Sequence, residues 1–170
     1  MRKSYNPNFN VITAVNQAIN LGANGLFIDP ELNQLNTAIN LANFNDGRLV
    51  LFGEATIYTK EILQGQVEGL VLVTPWHPDL NPSFAQNMQS FWGGAVNWRT
   101  ATAYDATQAI IAGLQKKQTR QGLQQVLGSR GFTAIGENGE IKFDYDSGDR
   151  IGTPVLVKVS NKDFKSIPVK

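Results

Sequence analysis

The sequence contains no cysteine and only one histidine, His77, among its 170 residues. Without cysteine the chain forms no disulfide and offers no thiolate, and this absence fits an oxidising compartment as well as a reducing one. Charged residues make up 17% of the chain, and its net charge is +1. A balance so close to neutral gives no reason to expect nucleic acid or an anionic membrane as a partner.

Long apolar runs are also missing. The best candidate, residues 69–73, stops at Thr74-Pro75, whereas a helix that crosses a bilayer needs about 20 apolar residues. The basic start Met1-Arg2-Lys3 is followed by polar residues 4–10, where a signal peptide would carry its apolar segment. The sequence therefore predicts neither a membrane span nor a signal peptide within this chain.

Motifs for nucleotide binding and nucleophilic catalysis are absent too. There is no G-x-G-x-x-G after a strand pattern and no G-x-x-x-x-G-K-[ST] phosphate loop. His77 stands between prolines 75 and 78 without a nucleophile motif or a metal-spaced partner, so we expect a solvated loop histidine. These absences predict a protein that is not an enzyme, with no catalytic residue and no cofactor.

A weak metal signal comes from the aspartates 144, 146 and 149. They suggest a calcium loop, but Gly148 stands one place early for an EF-hand and Val155 occupies the place of the bidentate acid. We therefore expect a polar turn after a strand here, and no metal site.

What is present is an alternation of helix and strand patterns. Apolar residues recur at helical spacing in two early segments, and a shorter helix follows; three short apolar runs lie between these helices. Continuous apolar strands between helices are typical of a parallel sheet that is covered on both faces. The sequence predicts an α/β fold, a Rossmann-like parallel sheet with flanking helices: helices at 11–19, 32–42 and 59–63, and strands at 26–28, 49–52 and 67–73.

The second half of the chain has a different pattern. Prolines 75, 78 and 82 interrupt regular structure, and a crossing between two bodies or a surface loop explains them equally. Asn138-Gly139 is a strong hairpin signal between two short strand patterns. The predicted elements are helices at 84–92, 100–116 and 120–127, strands at 132–135 and 140–143, and a last strand at 154–159 before a polar tail.

Three stretches, taken in order, resemble the type I periplasmic ligand-binding proteins that serve branched-chain amino-acid transporters. They are EGLVLVTPW at 68–76, WRTATAYDA at 98–106, and the late hairpin pattern from Gly131 to Arg150. The resemblance implies two Rossmann-like lobes that close on a ligand around a hinge. It also implies that this chain is incomplete relative to the two-lobe family fold, because the leading strands of both lobes have no counterpart. The implied domains are an N-terminal tail at 1–8, part of one lobe at 9–76 ending in a hinge strand, part of the second lobe at 77–153, and a hinge strand with a C-terminal tail at 154–170.

Glu54 is the first candidate for a ligand contact. It follows a predicted strand, and open α/β sheets bind ligands at the carboxyl ends of their strands. The resemblance implies that its carboxylate accepts hydrogen bonds from a ligand ammonium, for which a charged acceptor is suited. The alternative is a solvated acid at a helix N-terminus. Ala55 and Thr56 would add backbone or hydroxyl contacts beside it.

Asp29 ends the preceding strand and could face the same crevice, although an N-cap for a helix near Glu31 is the favoured interpretation. Tyr104 and Asp105 carry the family signature, and we expect them to hold their helix against its neighbours. Where some relatives place an aromatic ring over the ligand, this chain has Ala101. Trp98 and Arg99 lie nearby and could substitute for it, although an exposed arginine is usually only a solvated charge.

The resemblance implies a solute-binding domain of an ABC transport system, outside the cytoplasm, that takes an amino acid, amide or urea and is recognised by a membrane permease. A ligand-sensing domain of a signalling protein is the first alternative. In the second, the truncated half-fold dimerises through its uncovered sheet and no longer binds ligand. Nucleic acid is not an expected partner in any of the three.

Overall fold

The computed structural model describes residues 9–168, so the predicted N-terminal tail at 1–8 lies outside the described residues. The chain divides into two compact units. Unit 1 contains the residues up to Thr74 together with those from Val155 onward, and unit 2 contains Pro75–Pro154. Within the described residues, no helix is both long enough and apolar enough to cross a membrane.

Unit 1 is built on a five-stranded mixed sheet, whose strands from one edge to the other are β1 (Gly25–Ile28), β2 (Val50–Glu54), β3 (Val71–Thr74), β7 (Val155–Ser160) and β8 (Asp163–Ile167). The first three strands are parallel, with Phe27 opposite Phe52 and Gly53 opposite Leu72. The last two strands run antiparallel to their neighbours. The predicted α/β class with a parallel sheet and flanking helices is thereby confirmed.

The helices of unit 1 pack on one face of this sheet. Helix α1 (Val11–Asn20) begins at Asn10, whose side chain accepts a hydrogen bond from the Thr13 N–H at 2.9 Å, a common N-cap arrangement. Helix α2 (Leu35–Asn45) ends where Asp46 takes a left-handed conformation. The core between helices and sheet includes the buried residues Val15, Ile28, Ala38, Leu51, Leu72 and Val157.

Two details of unit 1 differ from the sequence prediction. The helix expected at 59–63 is a 3-10 helix, Lys60–Gln64. The residues after 159, expected as a polar tail, form strand β8, which pairs with β7 from Ser160↔Asp163 to Leu156↔Ile167. Asn161 and Lys162 both have positive φ, as a two-residue hairpin turn of the type I′ class requires.

Unit 2 contains three helices and a small antiparallel sheet: α3 (Pro82–Trp92), α4 (Trp98–Lys116), α5 (Arg120–Leu127), β4 (Ala134–Gly136), β5 (Gly139–Phe143) and β6 (Arg150–Ile151). Gly136 pairs with Gly139, so the turn consists of Glu137 and Asn138, one place earlier than the Asn-Gly signal suggested. Gly139, the first residue of β5, has a φ of 99°, which glycine adopts without steric cost. The polar turn expected at the aspartates is confirmed, because the Asp144 carboxylate accepts the N–H groups of Asp146 and Ser147.

Candidate functional site

The carboxyl ends of the parallel strands in unit 1 bring several predicted site residues to one edge of the sheet. The register pairs Ile28 with Gly53 and Glu54 with Val73. Asp29 follows Ile28 and Glu54 follows Gly53, so Asp29 and Glu54 lie side by side at the carboxyl ends of β1 and β2. This edge is where open α/β sheets place their ligand contacts.

Glu54 is held in place by its own chain. Its backbone is extended, and one carboxylate oxygen accepts the Thr56 N–H at 3.1 Å, which caps the short 3-10 helix Ala55–Ile57. The side chain is half-buried, and the second oxygen accepts no hydrogen bond from any residue the structure describes. A fixed carboxylate with one open oxygen is suited to a hydrogen-bond donor from a ligand.

Gly53 explains why the strand can place Glu54 there. A Cβ at this position would lie 2.5 Å from the Ile57 side chain and 3.0 Å from the Ile28 carbonyl oxygen. These distances are shorter than van der Waals contact, so the 3-10 helix closes over β2 only because residue 53 has no side chain.

Asp29 is not the helix cap that the sequence favoured. The cap of the 3-10 helix Leu32–Gln34 is Glu31, whose backbone N–H donates to the Gln34 side chain at 3.2 Å. Pro30 is buried between them, and Asp29 is exposed at the sheet edge. The N-cap interpretation is therefore wrong, and a ligand contact by Asp29 stays a prediction.

The remaining predicted contacts have different environments. Ala55 is buried in the core, and Thr56 is half-buried beside Glu54. Trp98 belongs to unit 2, where it packs against a cluster of Trp76, Phe84 and Ala101 and the Arg99 guanidinium lies 4.4 Å from its ring centre. The structure thus brings Asp29, Glu54, Ala55 and Thr56 together and places Trp98 in the other unit.

Unit 2 contains a buried charged network that the sequence pattern does not reveal. Asp105 of α4 is almost fully buried; one carboxylate oxygen lies 2.7 Å from the Arg150 guanidinium and the other accepts the Glu137 N–H at 2.8 Å. The Asn81 side chain donates to the Glu137 carbonyl oxygen. This network ties α4, the β4–β5 turn, β6 and the start of α3 together, which confirms the expected structural role of Asp105.

Gly136 is the local sequence feature that the network requires. A Cβ there would lie 2.3 Å from one oxygen of the Asp105 carboxylate, so any other residue would push the carboxylate away from the β4–β5 turn. The Tyr104-Asp105 signature alone could not reveal this, because the partners follow it by 31 residues or more.

The buried carboxylate of Glu137 has an altered acidity. Burial raises its pKa above the ordinary value, and the nearby Asp105 carboxylate raises it further. The Trp76 indole, the charge of Arg150 and the Asn81 side chain act in the opposite direction without cancelling the rise.

This shift predicts a pH-dependent stability difference. A carboxyl group whose pKa is higher in the folded state stabilises the fold fully below its ordinary value of 4.5, and that stability is lost as the pH rises through the folded value. In Glu137→Gln this loss is absent. We expect the melting temperature of the variant relative to wild type to increase as the pH is raised from about 4 to about 7. Glu140→Gln, on the exposed side of the same hairpin, is the control; a difference for Glu137→Gln that does not change with pH contradicts the prediction.

His77 is also different from its prediction. It is buried in unit 2 and caps the short 3-10 helix Pro78–Leu80, with its Nδ1 accepting the Asp79 N–H at 3.2 Å. The expectation of a solvated loop histidine is therefore wrong. Within residues 9–168 no three His, Cys, Asp or Glu side chains are arranged to hold a metal ion.

Comparison with known proteins finds structural similarity. No protein-family model and no curated protein matches the sequence. A leucine-binding protein from Thermotoga maritima superimposes with a TM-score of 0.80 and 17% identity, over 99% of this chain and 51% of that protein. A solute-binding protein from R. palustris, solved with benzoate, superimposes with a TM-score of 0.73 and 14% identity, over 95% of this chain and 47% of that protein. An ABC transporter substrate-binding protein from Desulfitobacterium hafniense, solved with Leu, superimposes with a TM-score of 0.68 and 19% identity, over 97% of this chain and 50% of that protein. The chain spans about half the length of these structures.

Proposed function

Because the chain has the fold of part of a type I periplasmic ligand-binding protein, we propose that it forms one side of a solute-binding site in an ABC transport system outside the cytoplasm. The observation that supports this most directly is the Glu54 carboxylate, fixed by the Thr56 N–H at the carboxyl edge of β2 with one oxygen open. The solute would be small and would carry a hydrogen-bond donor, best an ammonium group.

Two of the similar proteins were solved with leucine and with benzoate. Leucine carries an ammonium group that a carboxylate can bind, whereas benzoate has no such group. Glu54 and Asp29 are acidic, and both end strands at the same edge. A negatively charged edge favours an ammonium-bearing solute and disfavours a simple carboxylate such as benzoate. We therefore propose an amino acid first and an amide or urea second.

Binding would involve closure of two lobes. The chain passes between its units twice, after Thr74 and after Pro154, at the segments predicted as hinge crossings. A solute that makes better contacts in the closed form would shift the equilibrium towards it. A membrane permease would then recognise the closed state.

The experiment is a calorimetric and thermal-shift titration of the chain with leucine, other amino acids, amides, urea and benzoate. We expect an amine-bearing solute to raise the melting temperature, since a ligand that binds only the native state stabilises it. Glu54→Gln should weaken that binding by about 10- to 100-fold, the usual value of a hydrogen bond to a charged group.

Glu61→Gln provides the matched control, because Glu61 is exposed on the 3-10 helix Lys60–Gln64, outside the proposed site. It should bind the solute as wild type does. Equal binding by Glu54→Gln and wild type, or binding of benzoate in preference to every amine, would show that Glu54 does not select the solute.

A further inference from the structure

The chain contains two Asn-Gly pairs, Asn24-Gly25 and Asn138-Gly139. An asparagine followed by glycine is especially prone to lose its side-chain amide, because glycine has no side chain to hinder attack on the asparagine by the next backbone nitrogen. Both asparagines are exposed. The local sequence therefore makes both pairs reactive in an unfolded chain, and the structure decides which of them reacts in the folded one.

Asn138 lies in an open part of unit 2. It belongs to the two-residue turn between β4 and β5, and its side chain makes no hydrogen bond to any residue that the structure describes. A Cβ at Gly139 would meet no atom of a more distant residue within 4 Å. The turn therefore leaves room for the Asn138 side chain and the Gly139 nitrogen to approach each other.

Asn24 has the same local sequence in a closely packed setting. Its carbonyl oxygen accepts the Val50 N–H at 3.0 Å, and Gly25 begins β1 opposite Val50. A Cβ at Gly25 would lie 2.9 Å from the Phe52 ring. Attack on Asn24 requires the Asn24–Gly25 peptide to rotate away from these contacts, and this rotation needs local opening of the strand.

We propose that Asn138 is a site of spontaneous deamidation and isomerisation in the folded chain and that Asn24 is protected. The Gly139 nitrogen loses its proton to solvent and attacks Cγ of Asn138; an N–Cγ bond forms, the Cγ–Nδ2 bond breaks, and ammonia leaves. Water then opens the cyclic succinimide. Addition of water at Cγ gives aspartate, whereas addition at the main-chain carbonyl carbon gives isoaspartate, whose backbone runs through the side chain.

The modification acts on the buried network of unit 2. The Glu137 N–H donates to the Asp105 carboxylate at 2.8 Å, and the Glu137 carbonyl group, which is bonded to the nitrogen of Asn138, accepts from the Asn81 side chain. Isoaspartate lengthens the backbone of the turn by a methylene group, and both products add a negative charge next to Glu137. We expect the longer turn to weaken these hydrogen bonds and to destabilise unit 2.

The test follows the full chain during incubation in mildly alkaline buffer, with samples digested by trypsin and analysed by mass spectrometry. Cleavage after Arg130 and Lys142 releases residues 131–142, in which Asn138 is the only side-chain amide. Asn24 lies in the peptide of residues 4–48, where fragmentation locates the modified residue. In the folded chain we expect Asn138 to react at least about tenfold faster than Asn24, because Asn24 reacts only after local opening. In urea the two sites should react at similar rates.

Asn138→Gln is the matched control, because a glutamine side chain would have to close a larger ring and reacts far more slowly. Residues 131–142 of this variant should keep their mass throughout the incubation. Equal rates at Asn24 and Asn138 in the folded chain overturn the proposal. So does an unmodified Asn138 in the folded chain over a time in which the chain in urea reacts.

Tryptophan fluorescence measures the effect on unit 2, which contains all three tryptophans, Trp76, Trp92 and Trp98. The deamidated fraction, separated by ion exchange through its added charge, should melt at least about 2 °C below fresh protein. Freshly prepared Asn138→Asp, which adds the charge without lengthening the backbone, should melt closer to wild type, and aged Asn138→Gln should melt as fresh Asn138→Gln does. A deamidated fraction that melts together with fresh protein overturns the effect on the network.

Discussion

Replacing Arg150 by methionine is expected to lower the free energy of unfolding by about 3 kcal/mol, the lower end of the range for breaking a buried ion pair. The reason is Asp105, whose side chain is 3% exposed and whose carboxylate lies 2.7 Å from the guanidinium. Methionine fills much of the arginine volume but leaves a charge without a counter-ion in the interior. Because the guanidinium itself is 35% exposed, water relieves part of the cost.

A double-mutant cycle separates the charge from the packing. Asp105→Asn removes the charge that Arg150 balances, and the amide oxygen can still accept the Glu137 N–H. The double variant Arg150→Met/Asp105→Asn should therefore lose less than the sum of the two single losses, by about 1–2 kcal/mol. Urea unfolding followed by circular dichroism measures the cycle. Strict additivity of the two losses would show that the pair contributes nothing through its charges.

The same substitution acts on Glu137. Arg150 is one of the groups that lower the pKa of the Glu137 carboxyl against the effect of burial. Without it that pKa rises further, and the pH at which the stability contribution of Glu137 is lost moves upward with it. The network therefore behaves as one unit, and its parts cannot be valued from single substitutions alone.

The sequence predicts most of the strands and helices of unit 1, because the signals for these elements are local. Apolar runs and helical spacing predict β1, β2, α1 and α2 to within a few residues, because the spacing of apolar residues on a buried face is visible in a short stretch of sequence. The sequence does not predict strand β8, because Asp163–Ile167 contains only two apolar residues, which do not alternate with polar ones, and it follows a turn of Asn161 and Lys162 without glycine. Only pairing with β7 makes that segment a strand.

The candidate functional residues also include some that the sequence predicts and some that it does not. Glu54 could be predicted because the end of a strand is a local feature and its position at the carboxyl edge follows from the fold rule. The network of Asp105, Glu137 and Arg150 could not, because its members are distant along the chain and are joined only by tertiary packing. His77 was misjudged for a related reason: its neighbouring prolines suggest a loop, but burial is decided by residues that pack from elsewhere.

Trp76→Ala is expected to destabilise the protein at least as much as Arg150→Met, lowering the free energy of unfolding by about 3–5 kcal/mol. The indole is 2% exposed and packs edge-to-face against Phe84, with 5.9 Å between ring centres. Truncation to alanine leaves a cavity at the centre of the cluster formed with Phe84 and Ala101.

Trp76→Phe distinguishes this packing from the polar contact of the indole. Phenylalanine keeps an aromatic ring against Phe84 but has no N–H group, and the Trp76 indole is one of the groups that lower the pKa of Glu137. We expect a smaller loss, about 1–2 kcal/mol at neutral pH, because the buried carboxylate loses a polar group that favours its charged form. The loss should shrink in acid, where Glu137 is protonated in both proteins and the missing donor matters less. Unfolding curves at two pH values measure both effects. A loss for Trp76→Phe as large as that for Trp76→Ala, or one that is unchanged in acid, would mean that the indole stabilises unit 2 by shape alone.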